Sequence, residues 1–285
     1  MDMYLPEILF GGFMLLLLLG APITVALGGA AMGAYVVLDK DPIALVQIAF
    51  NSVGSFPLMA LPAFVLAGAL MEAAGISRRL VDIAEALAGP ITGGLGVATV
   101  LACLFFGAIS GSGPATTAAV GMLMIPAMTK RNYDRAYASA VTAASGGLGI
   151  IIPPSIPMVI FGIAALGMEP PAEAVTKFGT FASLSIPKLF VAGVMPGLVM
   201  AGSLLVMNYF ISKKRGYRGL SENWSGADLR VALKRGVWSI LAPMIILGGI
   251  YAGIFTPTES AIVAIFYTLF VGWFVHREMH WLAIK

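Results

Sequence analysis

The chain has 285 residues, of which 59% are hydrophobic and only 11% charged, with a formal net charge of +3. Soluble domains carry about 25% charged residues, so this composition and a mean hydropathy of +0.94 exclude a soluble globular protein in favour of an integral membrane protein. The single cysteine, Cys103, excludes an internal disulfide or thiolate cluster, and the small net charge gives no reason to expect nucleic acid as a partner.

In chain order, apolar segments fall at about 4–19, 22–38, 57–73, 91–109, 114–129, 134–150, 154–168, 187–212, 237–253 and 257–275. Several are at or below the ~20 residues of a simple span, so short pieces in close pairs read as hairpins or discontinuous helices. Residues 43–54, 76–88 and 224–235 mix polar and apolar positions and read as interfacial helices. The residues before the apolar run 8–19 include Asp2 and Glu7 and no base, so a cleaved signal peptide is not expected.

Charge placement supports this parse. With the N-terminus outside, 91–129 as a hairpin returning to its side of entry, and 134–168 as one broken span, only Lys40, Lys177 and Lys188 of the 17 basic residues lie outside. That bias follows the positive-inside rule. Two ordinary spans over 91–129 satisfy it equally, so charge alone leaves that alternative open. LLLLLGAPITVALGGA at 15–30 and IYAGIFTPTESAIVAI at 250–265 each place a proline at the start of a new helix. They would begin on opposite sides of the membrane, as inverted repeats do. No second SGSGP tip or PP break follows 237–275, so the second repeat reads as incomplete.

Two stretches carry the chemistry, LFFGAISGSGPATTAAVG at 104–121 and SGGLGIIIPPSIPMVI at 145–160. Breaks in membrane-length helices leave main-chain groups unpaired, which is tolerated only inside protein or beside a polar cavity. In the first, Ser110, Gly111, Ser112 and Gly113 supply hydroxyls and permissive backbone, and Pro114, Thr116 and Thr117 occupy the returning helix's first turn. That helix start favours an anionic group, while the carbonyls of Ala108 and Ile109 suit a hard cation such as Na⁺. In the second, Ser145, Gly146 and Gly147 relax the first half-helix, Ile150 to Ile152 carry it to its end, and Pro154 restarts it after Pro153, with Ser155 alongside and Pro157 in the new first turn. Thr142 and Gly149, in more regular surroundings, read as self-bonding and packing residues. The sodium candidates are Ser110, Ser112, Thr117, Gly147 and Ser155.

No acid or base lies within 91–129, and a proton relay needs a titratable group at depth, so sodium coupling of a small carboxylate or sulfonate is expected. Glu259 reads as the cap of a helix starting near Pro257, with an ion role as its alternative, and Glu72 as the end of its span. His276 and His280 could share a helix face but lack a third ligand, so they read as interfacial. With no Walker loop, metal triad or Ser/His/Asp set, the chain does not read as an enzyme.

The run FFGAISGSGPATTAAVGMLMIPAMTKRNYDRAYASAVTAASGGLGIIIPPSIPMVIFG at 105–162 closely resembles the large membrane subunit of tripartite ATP-independent periplasmic (TRAP) transporters, the DctM-like family. AGISRRLVDIAEALAGPITGGLG at 74–96, VAGVMPGLV at 191–199 and LGGIYAGIFTPTESA at 247–261 are similar to it too. The resemblance implies an all-α polytopic protein of the bacterial inner membrane with an elevator-type fold, inverted repeats, a re-entrant hairpin and a broken helix. It implies sodium-coupled import of organic anions such as C4-dicarboxylates or sialic acid, with no cofactor beyond Na⁺ as coupling ion. The implied partners are a small DctQ-like membrane subunit on a separate chain, a periplasmic solute-binding protein and membrane lipid. By the same resemblance, Ser110, Gly111, Ser112, Gly113, Pro114 and Thr117 belong to the moving hairpin's substrate and ion region, and Gly146, Gly147, Pro153, Pro154 and Ser155 to the facing break. The expected organisation is scaffold and interfacial helices over 1–56, a scaffold span and arm helix over 57–90, the transport-domain hairpin and broken helix over 91–168, a connecting span and cytoplasmic helix over 169–236, and a truncated second repeat over 237–285. The rival readings are a related anion carrier that needs no binding protein, and a non-transporting fragment.

Overall fold

A computed structural model describes residues 5–54, 56–165, 172–179, 184–220 and 225–279, and over these the chain is all-α. The expectations placed on His280 and the start of the 224–235 segment lie outside the described residues. The chain divides into two units, residues 1–58 and 59–285.

In the first unit α1 (Leu5–Leu18) and α2 (Ile23–Val37) form a helical hairpin turned at Gly20, and α3 (Pro42–Val53) follows. Small residues let α1 and α2 approach: Ala26, Ala30 and Ala34 recur every four positions along α2 and are buried, with Gly12 of α1 against Ala30. Phe10, Leu15, Leu18, Ile23 and Val25 are exposed around them, the surface expected of helices whose solvent is lipid. Asp41 caps α3, its Oδ1 accepting from the Ile43 amide at 2.9 Å.

The second unit begins with α4 (Ala60–Ala73) and α5 (Ile76–Ala88), bent by 70° at the junction. α5 is strongly amphipathic: Ile76, Leu80, Val81 and Ala84 are buried, while Arg78 and Asp82 face outward. The helix expected at 76–88 is thus present and amphipathic. Next come α6 (Gly94–Ser110), α7 (Gly113–Lys130), α8 (Arg135–Gly146), a 3₁₀ turn (Gly147–Ile150), α9 (Ile156–Ala165) and the short α10 (Ala172–Phe178). The unit closes with α11 (Ile186–Arg215), α12 (Gly226–Tyr251) and α13 (Pro257–Phe270), the last running into a π-helical turn (Val271–His276). Among the described residues, Ile186–Arg215, Gly226–Tyr251 and Pro257–His276 are each long and apolar enough to cross a membrane alone.

The core of this unit forms around α6, which is buried along nearly its whole length. Phe64, Phe106, Phe190, Met124, Met128 and Leu148 are among its fully buried side chains. By contrast α11 exposes Val191, Met195, Leu198, Val199, Met207 and Phe210. An apolar helix enclosed by protein beside another with an apolar outer face is the pattern of a polytopic bundle. The Thr256–Glu259 capping box starts α13, with the Thr256 amide donating to Glu259 Oε2 at 2.8 Å, the capping role expected of that acid.

Three expectations are corrected. Residues 224–235 do not form a separate interfacial helix, because α12 runs unbroken from Gly226 through Tyr251. Hydropathy changes along it but nothing breaks it there: Gly236 is used for close approach to Ile83 of α5, not for a turn, and Pro243 is accommodated within the helix. The first half of the broken span ends at Gly146 and only a 3₁₀ turn carries on to Ile150, so Ile150 to Ile152 are not its helical end. The second half restarts at Ile156 instead of Pro154, for a reason found in the site below.

Candidate functional site at two helix breaks

The first break is built by three residues. Gly111 leaves the helix in the left-handed region at φ 63°, donating its N–H to Gly107 O at 3.1 Å and ending α6. Ser112 is extended and caps α7, its Oγ accepting from the Ala115 amide at 3.4 Å. Pro114 then sits in the first turn, where its missing donor costs nothing. The result is a tight antiparallel hairpin of α6 and α7.

The tip is lined with neutral oxygens. Ser110 Oγ and Thr116 Oγ1 are buried and 2.9 Å apart. Thr116 Oγ1 also donates to Ser112 O at 2.7 Å, and Thr117 Oγ1 to Gly113 O at 2.9 Å. The threonine hydroxyls thus bond their own helix backbone, yet each oxygen keeps lone pairs for a further partner. The Ser112 amide turns to Ser110 Oγ at 3.4 Å. Among the described residues, no main-chain amide beyond the helix takes up the carbonyls of Ala108 or Ile109.

The second break lies against the first. Ile156 N donates to Gly111 O at 3.2 Å, and the Pro154 carbonyl occupies the space a Gly111 side chain would fill. Ser155 Oγ donates to Ile150 O at 2.6 Å and accepts from Met158 N at 3.4 Å. Pro154 is therefore held by the hairpin tip, Ser155 makes the cap, and the helix can begin only at Ile156, with Pro157 in its first turn.

Glycines permit the contact. A Cβ on Gly107 would lie 2.8 Å from Gly149 Cα, and one on Gly149 would strike Thr116 Oγ1 and come within 2.9 Å of Ser112 O. A Cβ on Gly146 would collide with Thr117 Oγ1. A Cβ on Gly113 would come within 3.3 Å of Gly146 O, a tight contact but not a collision. Ser110, Gly111, Ser112, Gly113, Thr116 and Thr117 are thus brought against Gly146, Pro154 and Ser155. Gly147 is not part of this packing, since a Cβ there would meet nothing within 4 Å, and only its main-chain carbonyl could serve the site. Thr142 bonds Ala138 O at 2.8 Å, as expected of a self-bonding residue. Gly149 is indeed a packing residue, but at the centre of this contact.

Sequence reasoning missed Gly107 and read Ser145 only as a helix loosener, although its buried Oγ has no hydrogen-bond partner among the described residues. It also missed the anchor at the root of the hairpin. Asn208, buried in α11, accepts from Tyr137 Oη at 2.5 Å and donates to Gly93 O at 3.3 Å. Tyr133 and Tyr217 stack nearby with centroids 4.0 Å apart. The Ala136 amide and then the Arg215 guanidinium, 2.9 Å away, hold the Asp134 carboxyl below its usual range. One amide between Val206 and Ile211, in the apolar stretch of α11, was the available signal. Asn208→Leu would strand the Tyr137 hydroxyl and the Gly93 carbonyl, at about 2–4 kcal/mol for the two. A clear fall in the unfolding midpoint in detergent is expected; an unchanged midpoint would show that the anchor contributes nothing.

The described residues hold no group of three or more His, Cys, Asp or Glu able to bind a metal. His276 instead pairs its Nδ1 with Ala74 O at 2.9 Å.

Comparison with known proteins agrees with this architecture. Residues 10–285 match the family model described as the tripartite ATP-independent periplasmic transporter, DctM component. The chain is 45% identical over 273 residues to the isethionate TRAP transporter permease protein DctMQ of Oleidesulfovibrio alaskensis, covering 95% of this chain and 40% of that protein. It is 38% identical over 279 residues to the C4-dicarboxylate TRAP transporter large permease protein DctM of Rhodobacter capsulatus, covering 95% and 61%. To the sialic acid TRAP transporter permease protein SiaT of Haemophilus influenzae it is 40% identical over 228 residues, covering 80% and 34%. The chain therefore spans from about a third to three fifths of the length of these curated relatives. An all-α polytopic membrane protein of the inner membrane, and a transport component instead of an enzyme, this chain belongs to the DctM family of TRAP transporter large permeases.

Proposed function

We propose that these residues form the substrate- and sodium-handling part of a TRAP transporter large subunit that imports a small organic anion bearing a carboxylate or sulfonate. The observation that carries the reading is the meeting of the two breaks, where the Gly111 carbonyl and the Ile156 amide join the hairpin tip to the start of α9. Discontinuous helices place amide dipoles toward an anion and unwound carbonyls toward Na⁺. Here the α7 and α9 starts are suited to the anion's charged group. Ser110, Ser112, Thr117, Gly147 and Ser155, with the carbonyls of Ala108 and Ile109, offer oxygens for the ion. Relatives named for isethionate, C4-dicarboxylate and sialic acid favour an acidic solute.

In this reading α6 and α7 form a re-entrant hairpin, and the glycine contacts hold it to the broken helix so that both move as one elevator body. A periplasmic solute-binding protein delivers the anion and a DctQ-like subunit completes the membrane complex. The test is uptake by proteoliposomes of the assembled transporter, with radiolabelled isethionate and C4-dicarboxylate under an imposed sodium gradient. Uptake is expected only with both the gradient and the binding protein. Equal uptake without the binding protein would favour a self-sufficient carrier, and sodium independence would remove the ion assignment.

A further inference from the structure

On another part of the second unit, α5, the start of α12 and the π-helical end of α13 enclose a groove of about 570 Å³. Its charge is unbalanced. Arg79 is neutralised by Glu278 at 2.9 Å and fixed to Gly75 O, but Arg78, Lys234 and Arg235 form no ion pair among the described residues and outnumber Asp82, the groove's remaining acid; Arg235 also borders a neighbouring groove that holds Glu85 and Asp228. His276 also lines the groove, but its Nδ1 is committed to Ala74 O at 2.9 Å.

The groove's depth in the membrane is marked by its neighbours. Lys234 and Arg235 immediately precede the apolar stretch of α12, and basic residues at such a boundary face the cytoplasm. Trp238, one helical turn on from Lys234, is 37% exposed, and its carbonyl accepts from Tyr267 Oη at 2.6 Å. Outward aromatic rings flank the groove: Trp238 lies 6.4 Å from Phe270, and Phe270 lies 5.5 Å from Phe274, one turn nearer His276. A basic pocket above an aromatic face matches a ligand with an anionic head and hydrocarbon tails. Basic pockets between membrane helices on the cytoplasmic side suit lipid phosphates.

We propose that this groove binds the phosphate of an anionic phospholipid of the cytoplasmic leaflet, held by Arg78, Lys234 and Arg235, its acyl chains lying along Trp238 and Phe270. The lipid ties the arm helix α5 to α12 at the membrane surface. A soluble phosphate would share the headgroup chemistry but gain nothing from the aromatic row.

Native mass spectrometry of the purified protein, titrated separately with phosphatidylglycerol, phosphatidylcholine and inorganic phosphate, tests this. Each surface cation near an anionic lipid contributes about fivefold in affinity. Phosphatidylglycerol is therefore expected to bind at least about tenfold more tightly than phosphatidylcholine. The triple variant Arg78→Gln, Lys234→Gln, Arg235→Gln should lose that preference, while Arg78→Lys with Arg235→Lys should keep it. A control with equal charge removed elsewhere, Lys213→Gln, Lys214→Gln, Arg218→Gln, should also keep it. Equal affinity for the two lipids in the unaltered protein would overturn the proposal without any variant. So would a preference surviving the triple change, its equal loss in the control, or competition by inorganic phosphate at comparable concentration.

Discussion

Gly146→Ala is expected to be among the most damaging single-methyl additions in the chain. Its new Cβ would overlap Thr117 Oγ1 and lie 2.9 Å from Thr117 Cβ and 3.1 Å from its Cα. Moving the hydroxyl alone cannot relieve this, because backbone is involved. Overpacking of a closed contact costs about 1–3 kcal/mol and sometimes more, and here the upper end applies. The same change at Gly147, one residue on, meets nothing within 4 Å and should alter stability by less than about 0.5 kcal/mol. Thermal unfolding in detergent distinguishes the two. Adding Thr117→Ala to Gly146→Ala should recover about 1 kcal/mol, since contacting residues couple. Equal midpoints for Gly146→Ala and Gly147→Ala would mean that the hairpin and the break are not pressed together. Uptake should follow stability in this pair, because Gly147→Ala keeps the main-chain carbonyl that a bound ion would use.

That adjacent glycines differ so sharply shows what local pattern could and could not convey. The hairpin tip was legible because its signals are local: a glycine for the left-handed residue, a serine for the cap and a proline for the first turn, all within Gly111 to Pro114. The second break was legible as a break, but its restart was placed two residues early. Pro154 satisfies the local rule for a helix start, and only its contact with Gly111, 43 positions back, displaces the start to Ile156. Gly107 and Gly149 look like ordinary small residues until their close approach across the chain is seen. Asn208 is a visible polar residue in α11, but its partners Tyr137 and Gly93 are 71 and 115 positions distant. The continuity of α12 was hidden for the opposite reason, since its polarity changes at Trp238 without any break in the backbone.

The largest functional effect is expected from removing hydroxyl oxygens at the tip while sparing the packing. Ser110 is buried, and its Oγ lies 2.9 Å from Thr116 Oγ1, which retains its own bond to Ser112 O. Ser110→Ala therefore loses that shared contact and the longer ones, at 3.4 Å, with the Ser112 amide and carbonyl, at about 1–2 kcal/mol of stability. If Ser110 Oγ is also an ion ligand, the loss falls on sodium instead. Contacts to a charged group are worth about 1.5–3 kcal/mol, so half-saturation by sodium should rise by roughly tenfold to a hundredfold. The combined change Ser112→Ala with Pro154→Ala acts from both breaks, removing a cap hydroxyl and the ring beside Gly111, and should weaken sodium-dependent uptake while membrane insertion is unaffected. Sodium titrations of uptake, read beside unfolding midpoints, separate the ligand role from a structural one. A ligand role moves the sodium curve far more than the midpoint. If the midpoint falls and the sodium curve stays in place, the hydroxyls at the tip serve packing alone and the ion must bind elsewhere in the transporter.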